Sequence, residues 1–392
     1  MIFRSKKKYI YVLPIMVIAV VGVLYLGFFR KVKPSYTNPF TGNKETVPVK
    51  DCDTKNSVGF YTYKEVSEDE RKNNKFGIYI YAEQKEFFEL AQNLVNSNGG
   101  DWGYVLIPYN IRDYDRAKWQ GVFESLNNKH LIPIIQLWDV DPDNYKKDTK
   151  RAAEFLSGFA WPVKQRYISA YNETNDAKFW RGEVDPAGYA KVLDYTIDTF
   201  MDENENFFIM NGAFNVSAPT DNTHMESFTY MYYMNKEVPG IFEQLDGWAS
   251  HPYPQPNFAG SPSDKGRWSI RAYEDELEYL EDTLDVKKDL PVFITETGWA
   301  HAEGQDYNAS FLTVSTIADY FELAFEDVWL KDDRVQAVIP FTIWYEPPFD
   351  HFSWINKDDV PYLHFEAIKE MDKISGTPES LILQETNTAG CE

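Results

Sequence analysis

The chain has 392 residues, 43% of them hydrophobic, and a formal net charge of -22. That length and apolar content suffice for one large domain with extensions and a real core, and so acidic a surface excludes a nucleic-acid partner, whose phosphates it would repel. The charge is uneven: residues 1–33 hold seven basic residues and no acidic one, leaving 32 basic against 61 acidic residues beyond them.

Tyr9–Phe29 carries no charge and is bordered by Lys6-Lys7-Lys8 on one side and by Arg30, Lys31 and Lys33 on the other. As a helix it would be roughly 31 Å long, enough to cross a bilayer. Gly27-Phe28-Phe29-Arg30 offers no small-x-small cleavage site. Residues 1–33 therefore read as a cytoplasmic stub and an uncleaved transmembrane helix, with the acidic remainder extracytoplasmic. Secretion after signal cleavage is the alternative. Residues 34–75 read as a polar tether containing Pro34, Asn38-Pro39, Gly42-Asn43 and a charged stretch from Glu65 to Lys75. The apolar residues of Val58–Tyr63 are expected to pack on the domain rather than to form a strand.

From Phe76 the pattern changes to short β-prone runs alternating with amphipathic helices. The expected strands are Gly77–Tyr81, Tyr104–Ile107, Ile132–Trp138, Tyr167–Asn172, Phe207–Met210, Gly247–His251, Pro291–Glu296 and Val335–Trp344. The intervening helices are expected near 83–96, 116–128, 143–160, from Asp185, 226–235, 271–284, 312–330 and 365–374. Asp185-Pro186 supplies an N-cap followed by a first-turn proline. Eight such units over residues 76–375 predict an α/β fold, a (β/α)8 TIM barrel behind the single membrane helix, with a C-terminal tail over 376–392. A doubly wound open sheet is the competitor, but no Gly-rich turn follows the first strand.

In such a barrel the strand C-termini form the active face. They would bring together Gln136 and Trp138 from strand three, Asn172-Glu173 from strand four, His251-Pro252-Tyr253 from strand six, Glu296 from strand seven, and Trp344 from strand eight, with Trp299 shortly after Glu296. A single Glu after a strand is usually a solvated loop residue. Two at facing barrel positions, one beside an Asn, point instead to paired-carboxylate chemistry. Retaining glycoside hydrolysis needs two carboxyls about 5 to 5.5 Å apart, one protonated and one ionised. Trp138 and Trp344 have the flat apolar faces on which sugars stack. Trp119, Trp248 and Trp329 read as core. Trp299 and Trp354 could line outer subsites or plug loops.

This set, Asn-Glu on a fourth strand, Glu on a seventh, an aromatic after a sixth and Trp on an eighth, resembles glycoside hydrolase clan A, the retaining (β/α)8 glycosidases. Thr295-Glu296-Thr297-Gly298-Trp299 is similar to the nucleophile segment of family 17 β-1,3-glucanases, with Ala300 where that family usually has Pro and Thr174 where many clan members have Pro after Asn-Glu. The resemblance implies Glu173 as acid/base, Glu296 as nucleophile, Asn172 on the sugar 2-hydroxyl, Tyr253 on the nucleophile, and Trp344 as platform under the same sugar. It implies a hydrolase of β-linked oligo- or polysaccharides acting through a covalent glycosyl-enzyme. A transglycosylase, or a non-catalytic glycan-binding surface protein on the same scaffold, are the alternatives.

No cofactor is expected: HExxH, Walker and GxSxG motifs are missing, and no Cys/His spacing suggests a metal. A monomer is expected. Cys52 and Cys391 flank the domain. Because both ends of a (β/α)8 chain lie near the seam between the first and eighth units, they are expected to pair as a disulfide in an oxidising compartment.

Overall fold

The computed structural model describes residues 61–383. Tyr9–Phe29, Cys52 and Cys391 lie outside the described residues, and with them the expected membrane helix and disulfide. Among the described residues no helix is long and apolar enough to cross a membrane.

Eight parallel strands build a barrel: β2 (Gly77–Tyr79), β3 (Gly103–Asn110), β4 (Leu131–Trp138), β5 (Arg166–Ala170), β6 (Phe207–Asn211), β7 (Trp248–Ser250), β8 (Val292–Thr297) and β9 (Val335–Pro340). Ladders run unbroken from β2 to β6 and from β7 to β9. Single parallel bridges close the two gaps, Met210 with Gly247 and Phe76 with Val338. The helices between and after them are α1 (Lys85–Val95), α2 (Arg116–Asn128), α3 (Tyr145–Ser157), α4 (Pro186–Glu203), α5 (Ser227–Glu237), α6 (Ala272–Asp282), α7 (Val314–Ala324, continued by a π-turn to Trp329) and α8 (Leu363–Glu370). All eight expected strand–helix units are present.

The sequence explains the layering. Along β3, Tyr104 and Leu106 point into the barrel, while Val105 and Ile107 point out beneath the helices. Alternation sends neighbours to opposite faces, and burial of both faces makes the run almost continuously apolar. The floor of the barrel is aromatic: the Tyr167 ring lies 5.2 Å from Phe208 and 5.3 Å from Phe293. The outer core takes α1 through Phe87, Phe88, Ala91, Leu94 and Val95. Trp119, Trp248 and Trp329 are fully buried there, as expected. Asp185 caps α4, accepting from the Gly188 N–H at 2.8 Å, with Pro186 in the first turn.

Residues 61–75, read from sequence as tether, include a strand, β1 (Tyr61–Tyr63), which pairs antiparallel with β10 (Leu381–Leu383). Arg71 and Lys164 both meet Glu379, at 3.2 and 3.1 Å. The expectation that this apolar stretch would pack without forming a strand is thus replaced by a two-stranded ribbon. A lone hairpin partner contributes little pattern to either segment, and the two halves lie more than 300 residues apart, so local sequence could not announce the pairing.

Candidate active site

The mouth of the barrel is built from strand ends. Beyond β5 the backbone leaves regular geometry: Tyr171 has φ 79° and Glu173 φ 37°, positions where a side chain is strained. The Glu173 N–H donates to Ala213 O at 2.8 Å, which fixes the turn. Gly212 makes this possible. A Cβ there would stand 2.5 Å from Ala170 O and 2.8 Å from Tyr171 backbone. The turn after Ala170 carries Asn172-Glu173 over the opening.

A chain of hydrogen bonds then orders one side. The Trp138 indole N–H donates to Gln136 Oε1 at 2.7 Å, and Gln136 Nε2 donates to Asn172 Oδ1 at 3.0 Å. Asn172 is buried, and its amide nitrogen is thereby left facing away from Gln136. Trp138 is half-buried, with Phe179 edge-on at 5.6 Å.

On the other side, His251 follows β7 and is 1% exposed. Its Nδ1 lies 3.2 Å from Glu173 Oε1 and 3.8 Å from Glu296 Oε2. One imidazole nitrogen therefore faces both carboxylates, and their oxygens can be no farther apart than those two distances laid end to end. The Tyr253 hydroxyl donates to Glu296 Oε2 at 3.1 Å. The Thr297 hydroxyl donates to Pro252 O at 2.9 Å, tying β8 to the segment that carries His251 and Tyr253.

Electrostatics follow from burial. Loss of solvent pushes the Glu296 carboxyl up to about 7; the Glu173 charge adds to the rise, while His251, the Tyr253 hydroxyl and Lys178 oppose it. Burial also disfavours the His251 imidazolium, but the Glu296 and Glu173 carboxylates outweigh it, and its pKa is raised. Tyr253 is held far above the ordinary phenol range by burial and by the Glu296 charge, so it remains a donor. The site can thus hold a proton between two carboxyls and keep a cation beside them.

Gln136, Trp138, Asn172, Glu173, His251, Tyr253 and Glu296 come together. Two of the aromatic candidates stand elsewhere. Trp299 is 2% exposed; its indole N–H donates to Gly260 O at 2.7 Å and its ring meets Phe321 edge-on, so it anchors the loop after β7. Trp344 lies beyond the end of β9, which stops at Pro340 instead of running on to Trp344. It is half-buried beside Tyr81, at 5.8 Å, in a groove of about 530 Å³ that it shares with Phe87 and Leu90 of α1.

Sequence reasoning missed Phe341 and Tyr79. Phe341 packs on the barrel-interior cluster, 4.9 Å from the Tyr79 ring. Tyr79 is buried, and burial followed by the Glu296 charge raises its pKa, which places it beside the pair electrostatically. Tyr79 had a signal: it shares the inward phase of the Gly77–Tyr81 run. Phe341 had the same signal, since it continues the inward phase of Ala337 and Ile339 one residue past the end of β9. From Phe341 the aromatics continue outward, to Tyr345 at 5.5 Å, then Tyr81 at 5.0 Å, then Trp344.

No protein-family model and no curated protein matches the chain. Solved structures do. A glucosidase from Croceicoccus marinus is similar with TM-score 0.54 and 11% identity, over 76% of this chain and 67% of that one. An endo-β-1,3-glucanase from Pseudomonas viridiflava, of glycoside hydrolase family 128, is similar with TM-score 0.50 and 12% identity, over 76% and 98%. A structure of fungal β-1,4-galactanases gives TM-score 0.50 and 14% identity, over 76% and 100%. At such identities the likeness is one of fold, and it agrees with the closed parallel α/β barrel described above.

Proposed function

We propose that this protein is a retaining glycosidase that cleaves β-linked glycans, with Glu296 as nucleophile and Glu173 as acid/base. The observation that carries the reading is that His251 Nδ1 faces Glu173 and Glu296 together while the Tyr253 hydroxyl holds the Glu296 oxygen. The fold neighbours, a glucosidase, an endo-β-1,3-glucanase and β-1,4-galactanases, lend a prior for the same class of reaction.

Glu173, protonated, donates to the glycosidic oxygen as the bond to the anomeric carbon breaks. Glu296, ionised, attacks that carbon from the opposite face and forms the glycosyl ester. The charge on Glu296 is then gone. Glu173, now a carboxylate, takes a proton from an incoming water, which displaces Glu296 and restores the β configuration. Tyr253 places the attacking oxygen. Asn172, held by Gln136, presents its amide to a sugar hydroxyl at the cleavage point. The aromatic run from Phe341 through Tyr345 and Tyr81 to Trp344 leads away from the carboxylate pair, a path that suits an extended glycan rather than a single sugar. The reading extends to a monomeric catalytic domain tethered through residues 34–75 to a membrane helix over Tyr9–Phe29, on the extracytoplasmic side.

The test is a panel of defined substrates: β-1,3-glucan, β-1,4-glucan, β-1,4-galactan and aryl β-glycosides, with the anomeric configuration of the first-formed product followed by NMR. β-Configured product from at least one member is expected. Turnover of none, or an initially α-configured product, would overturn the proposal.

A further inference from the structure

Trp344 stands apart from the carboxylate pair, in an open groove of about 530 Å³ that none of Gln136, Asn172, Glu173, His251, Tyr253 and Glu296 lines. One side of the groove is α1. Glu86, Glu89, Leu90 and Asn93 are spaced three, one and three residues apart along it, which puts them on one face of the helix. The other side is the connection from β9 to α8, through Trp344, Lys357 and Asp359. Tyr81 and the buried Phe87 line it as well, their rings 5.7 Å apart.

This lining matches the two surfaces of a neutral sugar. A pyranose pairs an apolar C–H face with a rim of hydroxyls, so it takes an aromatic ring against the face and polar side chains at the edge. Trp344 is half-buried, and Tyr81, at 5.8 Å and tilted by 41°, is the one ring set against it among the described residues. No acceptor there meets the Trp344 indole N–H, whereas those of Trp138 and Trp299 both donate within the protein. Gln84 and Asn93 are exposed, and each amide offers a donor and an acceptor, as a hydroxyl requires. The charges disfavour an anionic chain. Lys85 and Lys129 engage Glu89, at 3.4 and 3.9 Å. That leaves Glu86 and Asp359 against Lys357 in a protein of formal net charge -22.

The groove is continuous with the barrel mouth. From Phe341 the ring-to-ring steps are 5.5 Å to Tyr345, 5.0 Å to Tyr81 and 5.8 Å to Trp344. Helix α1 runs back from the mouth, so Gln84, just before its first residue, stands at the opening and Asn93 farther down the outside. We propose that the groove between α1 and the β9–α8 connection is a remote binding site for a neutral β-linked glycan chain, with Trp344 as its platform, and that it holds a stretch of the chain that is not being cleaved. This role rests on the glycosidase reading for the chain that enters the groove. Binding energy gained there orients the chain over Glu173 and Glu296 without touching the reacting bond. Trp344 thereby takes a task other than the one under the cleaved sugar that the resemblance implies.

Two measurements test it. Full-length Glu296→Gln is labelled with ¹⁵N in its 11 tryptophan indoles, and the Trp344 signal is assigned by its loss in Trp344→Phe. Long oligosaccharides of β-1,3-glucan, β-1,4-glucan and β-1,4-galactan are added in turn. At least one should move the Trp344 signal, and an aryl β-glycoside, which fills only the cleavage point, should not. The carboxymethylated form of the same chain should bind more weakly; equal or tighter binding would overturn the assignment to a neutral glycan. The second measurement is turnover. The ratio of kcat/KM on the long chain to that on the aryl glycoside should fall about 10- to 30-fold in Trp344→Ala, the scale on which loss of one aromatic anchor weakens binding. Equal losses on both substrates, or an aryl glycoside that moves the signal as the long chain does, would put Trp344 under the cleaved sugar and overturn the proposal. A signal that moves with protein concentration alone would give the groove to a second copy of the chain, with the same consequence. If Trp344→Ala does not fold, the indole signal still decides. A long glycan turned over by the wild type without moving Trp344 refutes the groove alone. One that moves Trp344 and is never turned over refutes the glycosidase reading alone, and silence in both refutes both.

Discussion

The Tyr253 hydroxyl donates to Glu296 Oε2 at 3.1 Å, between a half-buried phenol and a largely buried carboxylate. The bond does two things. It fixes which lone pair of the carboxylate is free to attack, and it opposes the rise that burial imposes on the Glu296 carboxyl. Tyr253→Phe should therefore fold normally and lose about 10- to 100-fold in kcat/KM, the scale of one hydrogen bond to a charged group. The acidic limb of its pH–rate profile should move to higher pH, because without the phenol Glu296 ionises later. Steady-state rates from pH 4 to 9 check both; an unmoved limb would separate Tyr253 from Glu296 ionisation.

The carboxylates themselves should behave unequally. Glu296→Gln should abolish turnover while glycan binding survives, since an amide neither attacks nor stabilises the developing positive charge. Glu173→Ala should fail on natural linkages but still glycosylate Glu296 from an activated aryl β-glycoside, whose leaving group needs no acid. The ester then lacks a base for hydrolysis and accumulates. Azide should release it as a β-glycosyl azide, measured by mass spectrometry and NMR. Turnover by Glu296→Gln at the wild-type rate would show the roles to be wrong.

Burial of Glu296 also makes a stability prediction. Its carboxyl is raised from the ordinary value of 4.5 to about 7, chiefly by desolvation. Between those values the native state binds more protons than the unfolded state, so stability falls as pH rises through that window. Activity rises through the same window, because the attacking form is the ionised one. Removing the charge should then stabilise: Glu296→Gln should match the wild type near pH 4 and exceed it by up to about 3 kcal/mol above pH 7. Urea denaturation at the two pH values measures the difference. A Glu296→Gln protein less stable than the wild type at pH 8 would contradict this account.

Gly212 tests the turn that carries Asn172-Glu173. Its missing side chain admits Ala170 O and the Tyr171 backbone at distances no Cβ tolerates. Gly212→Ala should destabilise by about 1–3 kcal/mol and cost activity beyond what the loss of folded protein explains, because relief of the clash moves Glu173. Denaturation and kcat on the same preparation separate the two effects. Unchanged stability would mean that the turn relaxes freely.

Outside the described residues, full-length protein should partition with membranes and a form lacking residues 1–33 should not. Thiol labelling of the denatured, non-reduced protein should find neither Cys52 nor Cys391 free. A soluble product beginning near residue 30 would identify Tyr9–Phe29 as a cleaved signal, and two reactive thiols would remove the disulfide.

Much of the architecture was legible before any coordinates. Period-2 runs buried on both faces, separated by helices with one apolar side, leave a closed parallel barrel as the economical arrangement, and Asp185-Pro186 marked a helix start to the residue. Glu173 and Glu296 were legible too, because a carboxyl at the end of an apolar strand is conspicuous. The eighth strand was readable as well: Phe341 shares the inward phase of Ala337 and Ile339, whereas Trp344 falls in the outward phase of Val338 and lies in the groove with Tyr81. Trp299 was ambiguous because an indole looks the same in a sequence whether it stacks on a ligand or hydrogen-bonds Gly260. The pattern of the chain determined the barrel and which strand ends carry acids; tertiary structure decided which side chains meet, since contacts across the mouth depend on turns, bulges and helix placement that no local period encodes.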